Sequence, residues 1–254
     1  MTATVRALRA FRPSERVTVD VRRPELFENN PHLEGGWEDD GTVVVLPLGG
    51  YAGQHMADSY AHACGIDHAS PMYEQLQCRE PQIFLTTAER ATAKALDNPH
   101  GAVAVDAWAG WPSRRWPRAS WERLVAALSD ALVPVIEVGA TVPDCNGGRR
   151  NSPLPQTDAS YLDQLTIRET AAVLERCALY VGNDSGLMHV AAAVDCPQVI
   201  VFGAMPSAVR AYASTTAANP GDPCGCAEHC MAQPQCPLRV TVKSVLGTVL
   251  QRLS

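Results

Sequence analysis

The residues best able to do chemistry lie in two short stretches of the C-terminal half. The first is Leu179-Tyr180-Val181-Gly182-Asn183-Asp184-Ser185-Gly186-Leu187-Met188-His189. An apolar strand runs into a turn of small residues, and a helix starts on the far side. Gly182 and Gly186 let the backbone approach a ligand closely, and the first N–H groups of a helix can hold a phosphate. Asp184 and Ser185 have two readings, as hydrogen-bond partners for a sugar or ribose hydroxyl or as plain helix caps. The second stretch is Cys224-x-Cys226-x3-Cys230-x5-Cys236, with His229 inside it. Four thiols this close in a Pro- and Gly-rich loop could hold a structural zinc or iron. The spacing is not that of two well-separated Cys-x2-4-Cys knuckles, so a disulfide or free thiols are the other readings.

The elements that must position these residues alternate regularly. Strands are expected at 102–105, 135–139, 179–181 and 198–202. Helices are expected at 121–132 (capped by Ser120), 167–177, 187–194 and 240–253. Such alternation means βα units and a parallel sheet, whose ligands bind beyond the C-terminal strand ends. Upstream, Val5, Leu8 and Phe11 have helical spacing that Pro13 ends, and 17–21 reads as a β-branched strand. Residues 43–46 form a continuous apolar run closed by Pro47 and Gly49-Gly50, as a buried parallel strand would. A helix is expected over 55–64, and another begins at Thr86-Thr87-Ala88-Glu89 with the pattern of a capping box. Asp97-Asn98-Pro99-His100-Gly101 is a polar breaker, which divides the chain into domains 1–98 and 99–254.

Bulk properties narrow the partners. With 254 residues, 46% hydrophobic and 19% charged, the chain can build one large core or two smaller ones. A net charge of -6 opposes a nucleic-acid backbone as partner. No apolar run approaches the roughly 20 residues that span a bilayer. The N-terminus has no apolar signal core. These features suit a cytoplasmic protein, either free or peripheral at the inner membrane face. Nine cysteines, an odd number, speak against a complete disulfide framework. Cys64, Cys78, Cys145, Cys177 and Cys196 sit mostly in apolar surroundings and read as small buried hydrophobes.

The run Gly-Asn-Asp-Ser-Gly-Leu-Met-His-Val-Ala-Ala-Ala from Gly182, followed by Pro197 and a strand ending Phe202-Gly203, resembles the signature of the ADP-heptose heptosyltransferases, glycosyltransferase family 9. Arg114-Arg115-Trp116-Pro117 with Trp121 is similar to that family's Lys-x-Trp-Pro segment. Residues 17–31, with Asn29-Asn30-Pro31, resemble its second strand and the loop after it. The resemblance implies an α/β fold of the GT-B type, two Rossmann-like domains, with an N-terminal domain reduced and lacking its first strand. It implies an inverting transfer of a heptose or similar sugar from a nucleoside diphosphate, most simply ADP-heptose, to a hydroxyl on a glycan, lipid-linked or protein acceptor. No cofactor is required for that chemistry.

By position, Asp184, Ser185 and Gly186 match the donor loop. His189 matches the motif histidine, which serves the donor site or packs the helix on the sheet. Arg114 stands at the family's lysine near the donor phosphates, where a guanidinium keeps the charge and adds a fork; the other reading is that Arg114 and Arg115 are solvated charges flanking Trp116. Asp144 follows a strand where a carboxylate could bind the ribose.

The family's opening strand and Gly-Asp loop, whose Asp is the usual general base, have no match here. A missed upstream start, a substitute base or lost catalysis would each account for that. Asp20, His55 and Asp58 are substitutes by type, and His55, after Gly49-Gly50 at a strand-to-helix junction, is the foremost; its other reading is a helix-start histidine in solvent. Loss of catalysis would make the chain a GT-B-like module that binds a nucleotide-sugar or a partner protein. The resemblance also touches the cysteine cluster, because some autotransporter heptosyltransferases of the family carry a Cys-bound iron.

Overall fold

A computed structural model describes residues 2–14, 17, 23–33, 54–96, 101–141, 153–219 and 236–254. In chain order the helices are α1 (Thr2–Phe11), α2 (Met56–Ala63), α3 (Pro71–Gln75), α4 (Thr87–Ala95), α5 (Arg118–Asp130), α6 (Ile167–Leu174), α7 (Gly186–Ala193), α8 (Cys236–Arg239) and α9 (Val242–Leu253). The strands are β1 (Val103–Asp106), β2 (Val135–Glu137), β3 (Ala159–Ser160), β4 (Leu179–Asn183), β5 (Gln198–Val201) and β6 (Thr215–Ala218). Short 3₁₀ turns occupy Pro24–Phe27, Pro112–Arg114 and Ser207–Val209.

The strands form one six-stranded parallel sheet in the order β3-β2-β1-β4-β5-β6. Strand residues alternate between its faces, as a period of 2 requires. Val103, Val105, Leu179, Val181, Val199 and Val201 pack with α5 and α9 residues such as Trp121, Leu124, Val245 and Val249. Ala102, Ala104, Tyr180, Ile200 and Phe202 face the other way, toward Ala171, Leu174, Met188 and Ala191 of α6 and α7. Strands apolar on both faces become the middle layer of three, and the expected parallel α/β sandwich is present.

The chain before the sheet builds smaller clusters. Ala7 of α1 packs with Ala61 of α2 and with Cys64, Ile66, Tyr73 and Cys78, while Val5, Val17 and Phe27 form a second group. α4 lies N-terminal of the expected boundary yet packs on α6. Its capping box is formed: Thr86 Oγ1 accepts from Glu89 N–H, and Glu89 accepts from Thr86 N–H. Cys64, Cys78, Cys177 and Cys196 are buried free thiols, as their apolar neighbourhoods suggested.

One expectation shifts, and two strands are additional. Ser120 is not the cap of α5: the helix starts at Arg118, with Pro117 as its N-cap at φ -57°, and Ser120 N–H donates to Pro117 O inside the first turn. Proline presets the helical φ, so the entry lies three residues earlier. β3 and β6 were absent from the expected strands because one has two residues and the other is Thr-Thr-Ala-Ala, with no apolar run to mark it. Residues 18–21 of the strand expected at 17–21, the strand expected at 43–46, the residues Asp20, Asp144 and Cys145, and Cys224, Cys226 and Cys230 lie outside the described residues, as does the side chain of Cys236.

Candidate functional site at the switch point

β1 and β4 are neighbours, with Asp106 in register with Gly182, and the chain leaves them toward opposite ends of the sheet. That reversal opens a crevice at their C-terminal ends. The loop after β1 brings Arg114 there, and the loop after β4 brings Asp184. The Asp184 carboxylate has no exposed surface, and two guanidiniums converge on it: Arg114 Nε at 3.4 Å and Arg210 Nε at 3.8 Å from Oδ2. These are ion pairs longer than ordinary hydrogen bonds. Arg210 follows the 3₁₀ turn after β5 and is itself buried. Sequence reasoning missed it, because a single arginine with no spacing pattern carries no signal until the turn folds it beside Asp184.

Close backbone approaches hold these loops together. A Cβ on Gly203 would fall 1.9 Å from the Ser113 carbonyl oxygen, so only glycine lets the β5 exit lie against the Arg114 turn. Ala204 N–H donates to that same carbonyl at 3.3 Å. From the other side, Trp116 N–H donates to Asn183 Oδ1 at 2.9 Å, and Trp116 Nε1–H to Val240 O at 2.8 Å. A Cβ on Gly182 would meet the Tyr180 hydroxyl at 2.2 Å. Gly186, the first residue of α7, has open space where a side chain would stand, so the helix N-terminus has room before it.

Ser185 is the N-cap residue of α7, but its side chain makes no capping bond, and its buried Oγ has no hydrogen-bond partner among the described residues. Simple capping therefore does not account for it. Asp184 is too buried to act as an exposed cap and instead lies between the arginines. His189, on the first turn of α7, is half-buried, and its Nδ1 lies 2.6 Å from the Tyr212 hydroxyl. Desolvation, and after it the nearby charges of Arg210 and Arg114, hold its pKa down to about 3, so the ring is neutral at physiological pH.

His55 is neither in solvent nor presenting a lone pair. It is buried as the N-cap of α2: Nδ1 accepts from Ala57 N–H at 3.2 Å, and Nε2 donates to Ala211 O at 3.1 Å. Burial first, then Arg79 and Arg210, lower its pKa against the pull of Asp58. Asp58 is held by both forks of Arg79, at 2.8 and 2.7 Å. Asp144 and the cysteine cluster lie outside the described residues. Among the described residues no group of three His, Cys, Asp or Glu is arranged to hold a metal ion. A surface cavity of about 300 Å³ between α4 and the end of α6, lined by Arg90, Lys94, Glu175 and Arg176, lies beside the entry to β4 and away from this site.

The sheet order and the converging loops define a doubly wound α/β protein with a crevice between the C-terminal ends of β1 and β4. Residues 60–231, more than half of the chain, match glycosyltransferase family 9 (heptosyltransferase), and the chain belongs to that family. Among curated relatives, lipooligosaccharide heptosyltransferase 2 of Haemophilus influenzae is 29% identical over 96 residues, which cover 36% of this chain and 28% of that protein. Lipopolysaccharide heptosyltransferase 1 of Pseudomonas aeruginosa is 31% identical over 94 residues, covering 37% and 26%.

Solved structures share the fold. The family 9 glycosyltransferase of Veillonella parvula superposes with a TM-score of 0.57 at 16% identity, covering 84% of this chain and 62% of that one. The iron-containing dodecameric glycosyltransferase TibC of enterotoxigenic Escherichia coli gives 0.58 at 14% identity, covering 83% and 59%. The protein thus has the GT-B-type α/β fold of its family. The chain aligns with under a third of those curated relatives and about three-fifths of those solved chains. No helix among the described residues is long and apolar enough to cross a membrane.

Proposed function

We propose that the chain binds a nucleoside diphosphate sugar in the β1/β4 crevice and serves inverting, metal-independent glycosyl transfer, with ADP-heptose or a related donor. The observation that carries this reading is the pair of arginines, Arg114 and Arg210, gathered on one buried carboxylate before the open start of α7. Glycosyl transfer passes through an oxocarbenium-like state. The departing diphosphate gains negative charge, which preorganised cations and helix N–H groups stabilise. In this reading Arg114 and Arg210 hold the diphosphate, Gly186 admits it to the helix N-terminus, and Ser185 Oγ bonds to it. Asp184 acts through the arginines by fixing where their charge sits. Asp144 would hold the ribose. Residues 1–98 form the acceptor side and 99–254 the donor side, with α4 crossing over onto α6; the acceptor is a glycan, lipid-linked or protein hydroxyl, met in the cytoplasm or at the inner membrane face. The cysteine cluster would hold a structural zinc or iron beside the donor site.

A second reading has a specific observation behind it. His55 has both ring nitrogens engaged and Asp58 is locked to Arg79, so neither offers a base for the acceptor hydroxyl. A nucleotide-sugar-binding module without transfer activity fits that geometry. Calorimetry with ADP, GDP and UDP, followed by transfer and hydrolysis assays on their sugars, separates the two. Arg114→Ala should weaken diphosphate binding at least about tenfold, the worth of a charge-assisted hydrogen bond. Unchanged affinity would remove the site; binding with neither transfer nor hydrolysis would select the module.

A further inference from the structure

Four consecutive residues after the β5 turn tie the switch-point site to the N-terminal half. Arg210 reaches Asp184 with Nε and lies 3.9 Å from Met56 Sδ through Nη1. Ala211 O accepts from His55 Nε2. The Tyr212 ring stands edge-on between two histidines, 5.6 Å from His55 and 5.5 Å from His189. Ala213 N–H donates to Glu80 Oε1 at 3.2 Å. The Tyr212 ring therefore contacts both histidines, and its hydroxyl lies against His189 Nδ1.

The Tyr212 hydroxyl is buried, and among the described residues His189 Nδ1 is the one acceptor its proton can reach. The hydroxyl is the donor, Nδ1 the acceptor, and the proton of the neutral ring sits on Nε2. No hydrogen-bond partner for that Nε2–H is found among the described residues. His189 stands one turn inside α7, close enough to Arg114 and Arg210 to feel both charges.

We propose that Tyr212 is a positioning residue: it locks His189 in the Nε2–H tautomer, so that the imidazole presents a donor to a phosphate oxygen of the bound nucleotide. This inference rests on the donor-site reading above. It makes the 210–213 segment a strap that sets a donor's direction, and it gives His189 a ligand role that depends on Tyr212.

The test uses the full chain with ¹⁵N-labelled histidine, and ADP as the probe. In the wild type, His189 Nδ1 should show the shift of an unprotonated nitrogen and Nε2 that of a protonated one. ADP should then move the Nε2 signal. Tyr212→Phe keeps the ring between the two histidines and deletes the hydroxyl; His189 should become a tautomer mixture, and ADP affinity should fall about tenfold with little change in melting temperature. If ADP binds the wild type but leaves Nε2 unmoved, or if Tyr212→Phe keeps the pure tautomer or the full affinity, the role of Tyr212 is overturned and the donor site stands. If no nucleoside diphosphate binds the wild type at all, the donor site itself falls, and the role of Tyr212 with it.

Discussion

Two buried charge clusters in this molecule use the same side chains in opposite proportions. Around Arg168 on α6, one guanidinium meets an excess of acceptors: Glu25 O at 2.9 Å, Phe84 O at 2.7 Å and both oxygens of Glu89. Each contact joins α6 to the chain before the sheet. Around Asp184, one carboxylate meets two guanidiniums at 3.4 and 3.8 Å. The first cluster is tight and acceptor-rich, so it is complete as a joint between segments. In the second, the two guanidiniums stand farther from their carboxylate, and the cluster lies at the C-terminal strand ends, where the proposed function seats a diphosphate. On that proposal the first cluster is a joint and the second a ligand site, a contrast that mutation can test.

Breaking the tight cluster should cost most. Arg168→Ala leaves two carbonyls without their donor and the Glu89 carboxylate with only Thr86, and should destabilise the chain by about 3 kcal/mol in a denaturant titration. Gly203→Ala attacks the other cluster through its backbone. Its Cβ would displace the Ser113–Arg114 turn, lowering stability by about 1–3 kcal/mol as overpacking does, together with ADP affinity measured by calorimetry. Asp184→Asn removes the charge that gathers Arg114 and Arg210. ADP affinity should drop about tenfold, near 1.4 kcal/mol, while the melting temperature changes less than for Arg168→Ala. Equal melting losses for the two variants would erase the distinction between joint and site.

Acid sharpens the contrast with the smallest effect. The Arg168 guanidinium holds the Glu89 pKa down to about 2, helped by Thr86 and opposed by desolvation. That depressed carboxylate supplies stability fully above its ordinary value near 4.5, lost as pH falls toward 2. His189, lowered from 6.5 to about 3, also favours the folded state above 6.5, and this is lost between those two values. The site should therefore weaken first on acidification. Melting curves of the wild type and His189→Asn from pH 7 to 3 check this: the variant should have the flatter profile above pH 4.5.

The central sheet was legible because β1, β2, β4 and β5 are apolar on both faces, a run that few other structures produce. Pro117 displaced the start of α5 from Ser120, since a fixed φ outranks a candidate side-chain cap. β6 escaped notice because Thr215 to Ala218 lie at an edge where small residues suffice. In the site, Asp184 and Arg114 were found through the motif around them, but the burial of the carboxylate was not foreseeable. Arg210 and Tyr212 were invisible for the same reason as each other. They approach Asp184 and His189 only when the chain returns from β5, and a contact between distant segments leaves no local pattern.

Trp116 sits two residues beyond Arg114, fully enclosed and edge-on to Trp121 with ring centres 5.0 Å apart. Its amide hangs from Asn183, next to Asp184. An indole so placed offers an optical readout of the proposed function: if a diphosphate seated at Arg114 shifts that turn, the Trp116 environment two residues on should change with it. An ADP titration that alters emission in the wild type and not in Trp116→Phe would follow that uptake with no dye attached.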